Sequence, residues 1–342
     1  AGEDGGKLIA AMSFLDVSKT NLGNDGAEAI GQAVGSSHIH TIVIGLKSTK
    51  VDLSGVEKWE LSGQDLGPSE MVLLGSMLRS ACEVRPELIA AMSLDISGNF
   101  IFGQKYGRHD VDADQTGWQA ICSALRSCPI QTLKISDIGI GPKGAATLGE
   151  MLRSAGEEGG KLIAAMSLDI SGNFIFGRNY GSHDVDADQT GWQALCSALR
   201  SCSIQTLKIS DIGMGPKGAL TLGEMLRSAG EEGGKLIGAM SFLDISNSNL
   251  GNDGAEAIGQ AVVSSQIQTI VIGPKSTKVD LSGVEKWDLS GQELGPSEMV
   301  LLGSMLRSAC EVRPELIAAM SRLILDNNKI TTGGDAIASL PH

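Results

Sequence analysis

Short runs in which apolar and polar residues alternate recur along the chain: FLDVS, SLDIS, TLKIS, SLDIS, TLKIS, FLDIS and finally RLILD. Alternation places Leu and Ile on one face and Ser, Thr, Asp or Lys on the other, the pattern of a strand buried on one side. A glycine-bearing turn follows, such as LGNDGA, IGPKGA or MGPKGA. Next comes a stretch with apolar residues at i, i+3, i+4 and i+7, as in SEMVLLGSMLRSA, AATLGEMLRSA and TGWQAICSALRSC. That period predicts an amphipathic helix. One strand–turn–helix unit has too little apolar surface to close a core alone, so the units must stack.

The units are grouped into longer repeats. Residues 92–165 recur at 166–239 with a shift of 74, and residues 2–93 recur at 230–321 with a shift of 228. The order is A-B-B-A, with modules at 13–92, 93–166, 167–240 and 241–320 and an end repeat at 321–342, all within one domain spanning 1–342. The A modules carry an added stretch in which TIVIG leads through KSTKVDLSGVEK to WELSG, or to WDLSG in the second copy. TIVIG is expected in the sheet, and WELSG as a second sheet strand or part of a projecting hairpin. Residues 1–12 repeat the tail of a unit (compare 156–166), so an open end is expected there, covered by another chain or continued by a longer array.

Within this frame the chain resembles the leucine-rich repeat family, in its ribonuclease-inhibitor-like subclass with long helical repeats. The residues that carry the resemblance are Leu94, Ile96, Asn99 and Ile101, then Leu168, Ile170, Asn173 and Ile175, and Leu323, Leu325, Asn328 and Ile330. It implies an α/β fold: a curved solenoid with a parallel sheet on the concave face and helices on the convex one. Leu133, Ile135, Leu207 and Ile209 should then point inward. Ile138 and Ile212 stand where the family has asparagine, so its asparagine hydrogen-bond ladder should be interrupted there.

Composition narrows the function. The formal charge is −13, which argues against nucleic acid. No run approaches the roughly 18 apolar residues of a membrane helix, so no membrane insertion is expected. The six cysteines, Cys82, Cys122, Cys128, Cys196, Cys202 and Cys310, show no CxxC spacing and are read as buried free thiols, which favours a reducing, intracellular setting. None of the five histidines lies in a catalytic or zinc signature, and GPKG at 141–144 and 215–218 is not a phosphate-binding loop, so no enzyme is expected.

Two surfaces remain. On the concave face a column reads Asp95, Lys134, Asp169, Lys208, Asp244, a partner-binding candidate whose charges can also compensate each other. In the B modules FIFGQKYGRHDVDADQ and FIFGRNYGSHDVDADQ lie between strand and helix, with Tyr106 and Tyr180 as contact candidates and one Phe of each pair expected in the core. Asp110, Asp112 and Asp114, like Asp184, Asp186 and Asp188, have the first, third and fifth places of a calcium loop but lack its later glycine and glutamate. The alternative is an acidic lead-in to a helix opened by the capping boxes Thr116–Gln119 and Thr190–Gln193. The function expected is a non-enzymatic protein-interaction scaffold with no cofactor. The alternative is a calcium-binding structural array assembling end to end.

Overall fold

Leucines at alternate strand positions stack into columns. A computed structural model describes residues 12–54, 58–84, 92–105, 107–157, 166–179, 182–231, 240–283 and 285–330. The first A module contains β1 (Phe14–Asp16), α1 (Gly23–Gly35), β2 (Thr41–Ile44), β3 (Thr49–Asp52), β4 (Lys58–Glu60) and α2 (Pro68–Val84). The first B module follows with β5 (Met92–Asp95), β6 (Gln104–Lys105), β7 (Arg108–His109), α3 (Thr116–Leu125), β8 (Ile130–Lys134) and α4 (Pro142–Glu157). The second repeats it with β9 (Met166–Asp169), β10 (Arg178–Asn179), β11 (Ser182–His183), α5 (Thr190–Leu199), β12 (Ile204–Lys208) and α6 (Pro216–Glu231). The second A module has β13 (Phe242–Asp244), α7 (Gly251–Val263), β14 (Thr269–Ile272), β15 (Thr277–Asp280), β16 (Lys286–Asp288) and α8 (Pro296–Val312), and then come α9 (Pro314–Ala318) and β17 (Arg322–Ile324).

Eight strands form one sheet in the order β15-β14-β13-β12-β9-β8-β5-β4, parallel throughout except at β14–β15. Its register aligns Leu94, Leu133, Leu168, Leu207 and Leu243 across successive strands, and all five are fully buried. Ile135 and Ile209 are buried beside them, as the alternation requires. Strand and helix residues share one apolar cluster, so this is a mixed α/β repeat fold with parallel strands. Among the described residues no helix is long and apolar enough to cross a membrane.

The A modules depart from simple parallel stacking. TIVI and KWE are sheet strands, which decides WELSG in favour of the second sheet strand. Between them TKVD folds back antiparallel on TIVI, pairing Thr41 with Asp52 and Ile44 with Thr49. Among the described residues no ladder joins β3 to β4. Instead the Trp59 indole N–H donates to the Asp52 carbonyl at 3.0 Å, and Trp287 does the same to Asp280 at 2.8 Å.

Phe102 and Phe176 fill the core against Trp118 and Trp192, at ring-centroid distances of 6.0 and 5.7 Å, while Phe100 and Phe174 are half-buried. Buried Asn99 accepts from Gln64 and Leu66 N–H and donates to Leu61 and Ile96 carbonyls, tying its turn to the preceding unit. Asn173 and Asn328 repeat this geometry. Ile138 and Ile212 are buried and carry no such amide, so the asparagines recur only in alternate units there.

The cysteines need a correction. Cys82 of α2 is disulfide-bonded to Cys128, 46 residues on, joining the first A module to the first B module. Cys122, Cys196 and Cys202 are buried free thiols, and Cys310 is exposed rather than buried. Burial pushes the Cys202 thiol up to about 11. With one pair joined, cysteine usage no longer argues for a reducing compartment.

Candidate interaction surface

The B-module inserts fold as small antiparallel hairpins, β6–β7 and β10–β11, between strand and helix. Asp112 follows the first, with φ +55°, a left-handed conformation that Asp tolerates better than most residues. Its carboxylate crosses to the next unit. Oδ1 accepts from Gly141 N–H at 3.0 Å and Gly144 N–H at 2.9 Å, and Oδ2 from Lys143 N–H at 2.7 Å. The Gln115 side-chain amide donates to the same Oδ1 at 3.1 Å. These backbone groups are the unsatisfied N–H donors at the start of α4, where a negative charge also complements the helix dipole. Asp186 makes the same set to Gly215, Lys217 and Gly218 at the start of α6.

GPKG thus has a structural meaning. A Cβ on Gly141 would lie 2.5 Å from Asp112 Oδ2, and one on Gly144 would lie 2.8 Å from Oδ1. Only glycine admits the carboxylate at both places. The loop cradles an anion as a phosphate loop would, but the anion is a side chain of the preceding unit.

Asp114 acts locally. Its Oδ1 accepts from the Thr116 backbone N–H at 2.9 Å and from the Thr116 hydroxyl, and Asp188 treats Thr190 alike. The hydroxyl bond of Thr190 holds the Asp188 carboxyl below the usual range. Thr116 and Thr190 are therefore the first residues of α3 and α5, not their caps, and the expected Thr–Gln capping boxes are not formed. The residue before each helix is a glutamine without a side-chain cap bond. Asp110 is exposed at the end of its hairpin, and Asp184 is half-buried at the end of the other. Among the described residues no group of three or more His, Cys, Asp or Glu is arranged to hold a metal ion.

Sequence reasoning missed the histidines. His109 Nε2 lies 3.2 Å from Asp137 Oδ1 in the next unit, and His183 lies 3.3 Å from Asp211. The bond from His109 is the main reason the Asp137 carboxyl sits below its ordinary pKa. Each imidazole packs on a phenylalanine, Phe100 at 5.1 Å and Phe174 at 4.7 Å between centroids. Arg178 lies over the Phe174 ring and donates to the His109 carbonyl, so the second insert is stapled to the first. Tyr106 and Tyr180 lie outside the described residues.

The sheet face opposite the leucines brings Asp95, Lys134, Asp169 and Lys208 into one column, as expected. Lys134 pairs with Asp95 at 3.4 Å and Lys208 with Asp169 at 3.7 Å. Each aspartate also accepts from the N–H of the serine two residues on, Ser97 and Ser171, closing the turn after its strand. The column is flanked by Ser93, Thr132, Ser167 and Thr206. A flat face of hydroxyls and side-by-side charge pairs results. It offers hydrogen bonds over a broad area.

Comparison with known proteins gives one family. A leucine-rich repeat model matches residues 12–31 and 240–259, the first strand–turn–helix of each A module, and supports a leucine-rich repeat family for the chain. No curated protein matches it.

Proposed function

We propose that the chain is a non-enzymatic protein-interaction scaffold, a curved leucine-rich repeat solenoid of the ribonuclease-inhibitor-like kind. Its partner is a protein that lies across the open face of the sheet. The observation that carries this reading is the aligned face itself: Asp95, Lys134, Asp169 and Lys208 in one column on strands whose leucines are fully buried. A rigid array of polar groups loses little conformational entropy on binding. Tyr106 and Tyr180 are taken as additional contacts from the hairpins.

Asp110, Asp112, Asp114, Asp184, Asp186 and Asp188 are read as loop and helix-capping residues rather than calcium ligands. The four N–H donors around the Asp112 carboxylate support this, since they occupy the oxygens a cation would need.

The test is site-specific photo-cross-linking. A photoreactive residue at Ser93, Thr132 or Thr206 should capture partner proteins that the same group on the outer helix positions Glu150 or Glu224 does not. Equal capture from both faces would refute the assignment of the face.

A further inference from the structure

The junction between α2 and α3 carries a covalent bond, and its copy 74 residues on, between α4 and α5, does not. Cys82, near the end of α2, is half-buried and bonded to Cys128, which is fully buried after α3. In the copy Gly156 stands in place of Cys82, and Cys202 is a free, buried thiol. The two junctions are otherwise alike. A Cβ on Gly75 of α2 would lie 2.7 Å from the Ala120 carbonyl oxygen of α3, and one on Gly149 of α4 would lie 2.9 Å from that of Ala194 of α5. The helices thus approach as closely without the bond as with it. Cys202 Sγ lies 3.7 Å from the Leu152 carbonyl oxygen, and Cys128 Sγ lies 3.9 Å from that of Leu78, the same acceptor one repeat earlier. A thiol released at Cys128 therefore has its hydrogen-bond acceptor in place. The helix does not need the bond either, since α8, whose Cys310 copies Cys82 and is free, has the same 17 residues as α2.

What the bond holds is a platform. β1, β2 and β3 form a three-stranded sheet that no ladder joins to β4 among the described residues. That sheet leans on α2 through α1, whose Gly31 and Gly35 lie against Ser76 and Ser80 so closely that an added Cβ would come within 2.7 and 2.5 Å. A covalent tie from α2 to the next unit fixes the surface on which the first sheet rests. We propose that Cys82–Cys128 is a redox clasp: a dithiol reductant opens it in the folded protein, and opening loosens the first A module while the second B module stays as it was. A thiolate of the reductant attacks Cys82 Sγ, the more exposed sulfur, because Cys128 is fully buried. The S–S bond breaks, and Cys128 leaves as a thiolate and takes up a proton. The reductant's second thiolate then attacks its own sulfur in the mixed disulfide. Cys82 leaves and is protonated in turn, and the reductant ends as a disulfide, having given two electrons to the pair. Cys122 does not intercept the exchange, since complete burial raises its thiol and keeps it protonated. Each repeat contacts only its neighbours, so the release is felt at the opened junction and not two units on. This inference is separate from partner binding on the open face, and its failure would leave that reading standing.

Hydrogen exchange of the whole chain, read by mass spectrometry with and without millimolar dithiothreitol, tests it. Alkylation under the same native conditions should label Cys82 only after reduction, with circular dichroism unchanged. Exchange in α1 and α2 should then quicken by at least about tenfold, the smallest change expected when a disulfide closing a loop of this length is lost. Exchange in α5 and α6 should not change, and removing the reductant in air should restore the slow exchange. The variant Cys82→Ala is the permanently open form. Untreated, it should exchange in α1 and α2 as the reduced parent does, and dithiothreitol should alter it no further. Four results would overturn the proposal: a bond that stays closed while the protein is folded, reduction that unfolds the whole chain, exchange in α1 and α2 that reduction leaves as it was, or a change equally large in α5 and α6. A Cys82→Ala chain whose circular dichroism is lost would count with the second of these, since it would make the bond a requirement of the fold.

Discussion

The A and B modules start their long helices with nearly the same letters and opposite logistics. In the A modules the start reads Gly67-Pro68-Ser69-Glu70, and Glu70 folds back so that its Oε2 accepts from Gly67 N–H at 3.0 Å. Glu298 does this for Gly295 at 2.9 Å. In the B modules the start reads Gly141-Pro142-Lys143-Gly144, and the carboxylate arrives from Asp112 instead. Both arrangements put one negative charge at a helix N-terminus. The local one satisfies a single N–H and stabilises its own helix. The imported one satisfies three and fastens one repeat unit to the next.

The sharpest way to break this comparison is to force the A solution onto a B helix. Gly144→Glu places a Cβ 2.8 Å from Asp112 Oδ1 and 3.0 Å from the Phe102 ring, and sets a second carboxylate beside the first. A loss of about 3 kcal/mol in urea unfolding is expected. Combined with Asp112→Ala, part of that loss should return, because the new glutamate can cap Gly141 as Glu70 caps Gly67. A double variant no more stable than Gly144→Glu would mean that the two starts are not interchangeable.

Asp112→Ala alone should cost about 2 kcal/mol, the size of a lost helix cap with charge-assisted bonds. Hydrogen exchange should then quicken at Lys143 and Gly144, in the unit after the mutated one. Glu70→Ala should cost about 1 kcal/mol, with faster exchange confined to the first turn of its own helix. If both variants altered exchange only locally, the distinction between imported and local caps would be lost.

The smallest effect is the acid limb. Hydrogen bonds from His109 and Thr190 hold the Asp137 and Asp188 carboxyls below their ordinary values. A lowered folded pKa gives stability that is fully present above about pH 4, the unfolded value, and drains away as pH falls through the folded one. The B modules should therefore weaken below about pH 4, and Asp137→Ala should flatten that slope. An unchanged slope would show that the pairing contributes nothing to folding.

What could be read from the chain and what could not divide along the same line. The buried leucine columns, the core role of Phe102 and Phe176 and the spans of the helices follow from periods of two and 3.6, which are local. The column Asp95-Lys134-Asp169-Lys208 followed once the strands were aligned by repeat. Antiparallel β3 escaped because TKVD alternates no better than many loops, and its pairing depends on TIVI folding back. Asp112, His109 and Cys82 escaped because their partners lie 28 to 46 residues away in the neighbouring unit. One signal was available: the spacing from DVDAD to GPKG is the same in both B modules, and GPKG had no other purpose.

That spacing bears on how such a chain can lengthen. Asp112 and its cradle both fall inside residues 93–166, so a tandem copy of that segment brings its own helix cap and works at once, as Asp186 and Gly215–Gly218 show. The Cys82–Cys128 bond straddles the border of the copied segment. Copying B alone yields Cys202 with Gly156 where its partner would stand, and that thiol stays free and buried. The enclosed cap is inherited with the duplication, whereas the disulfide across the border is left behind.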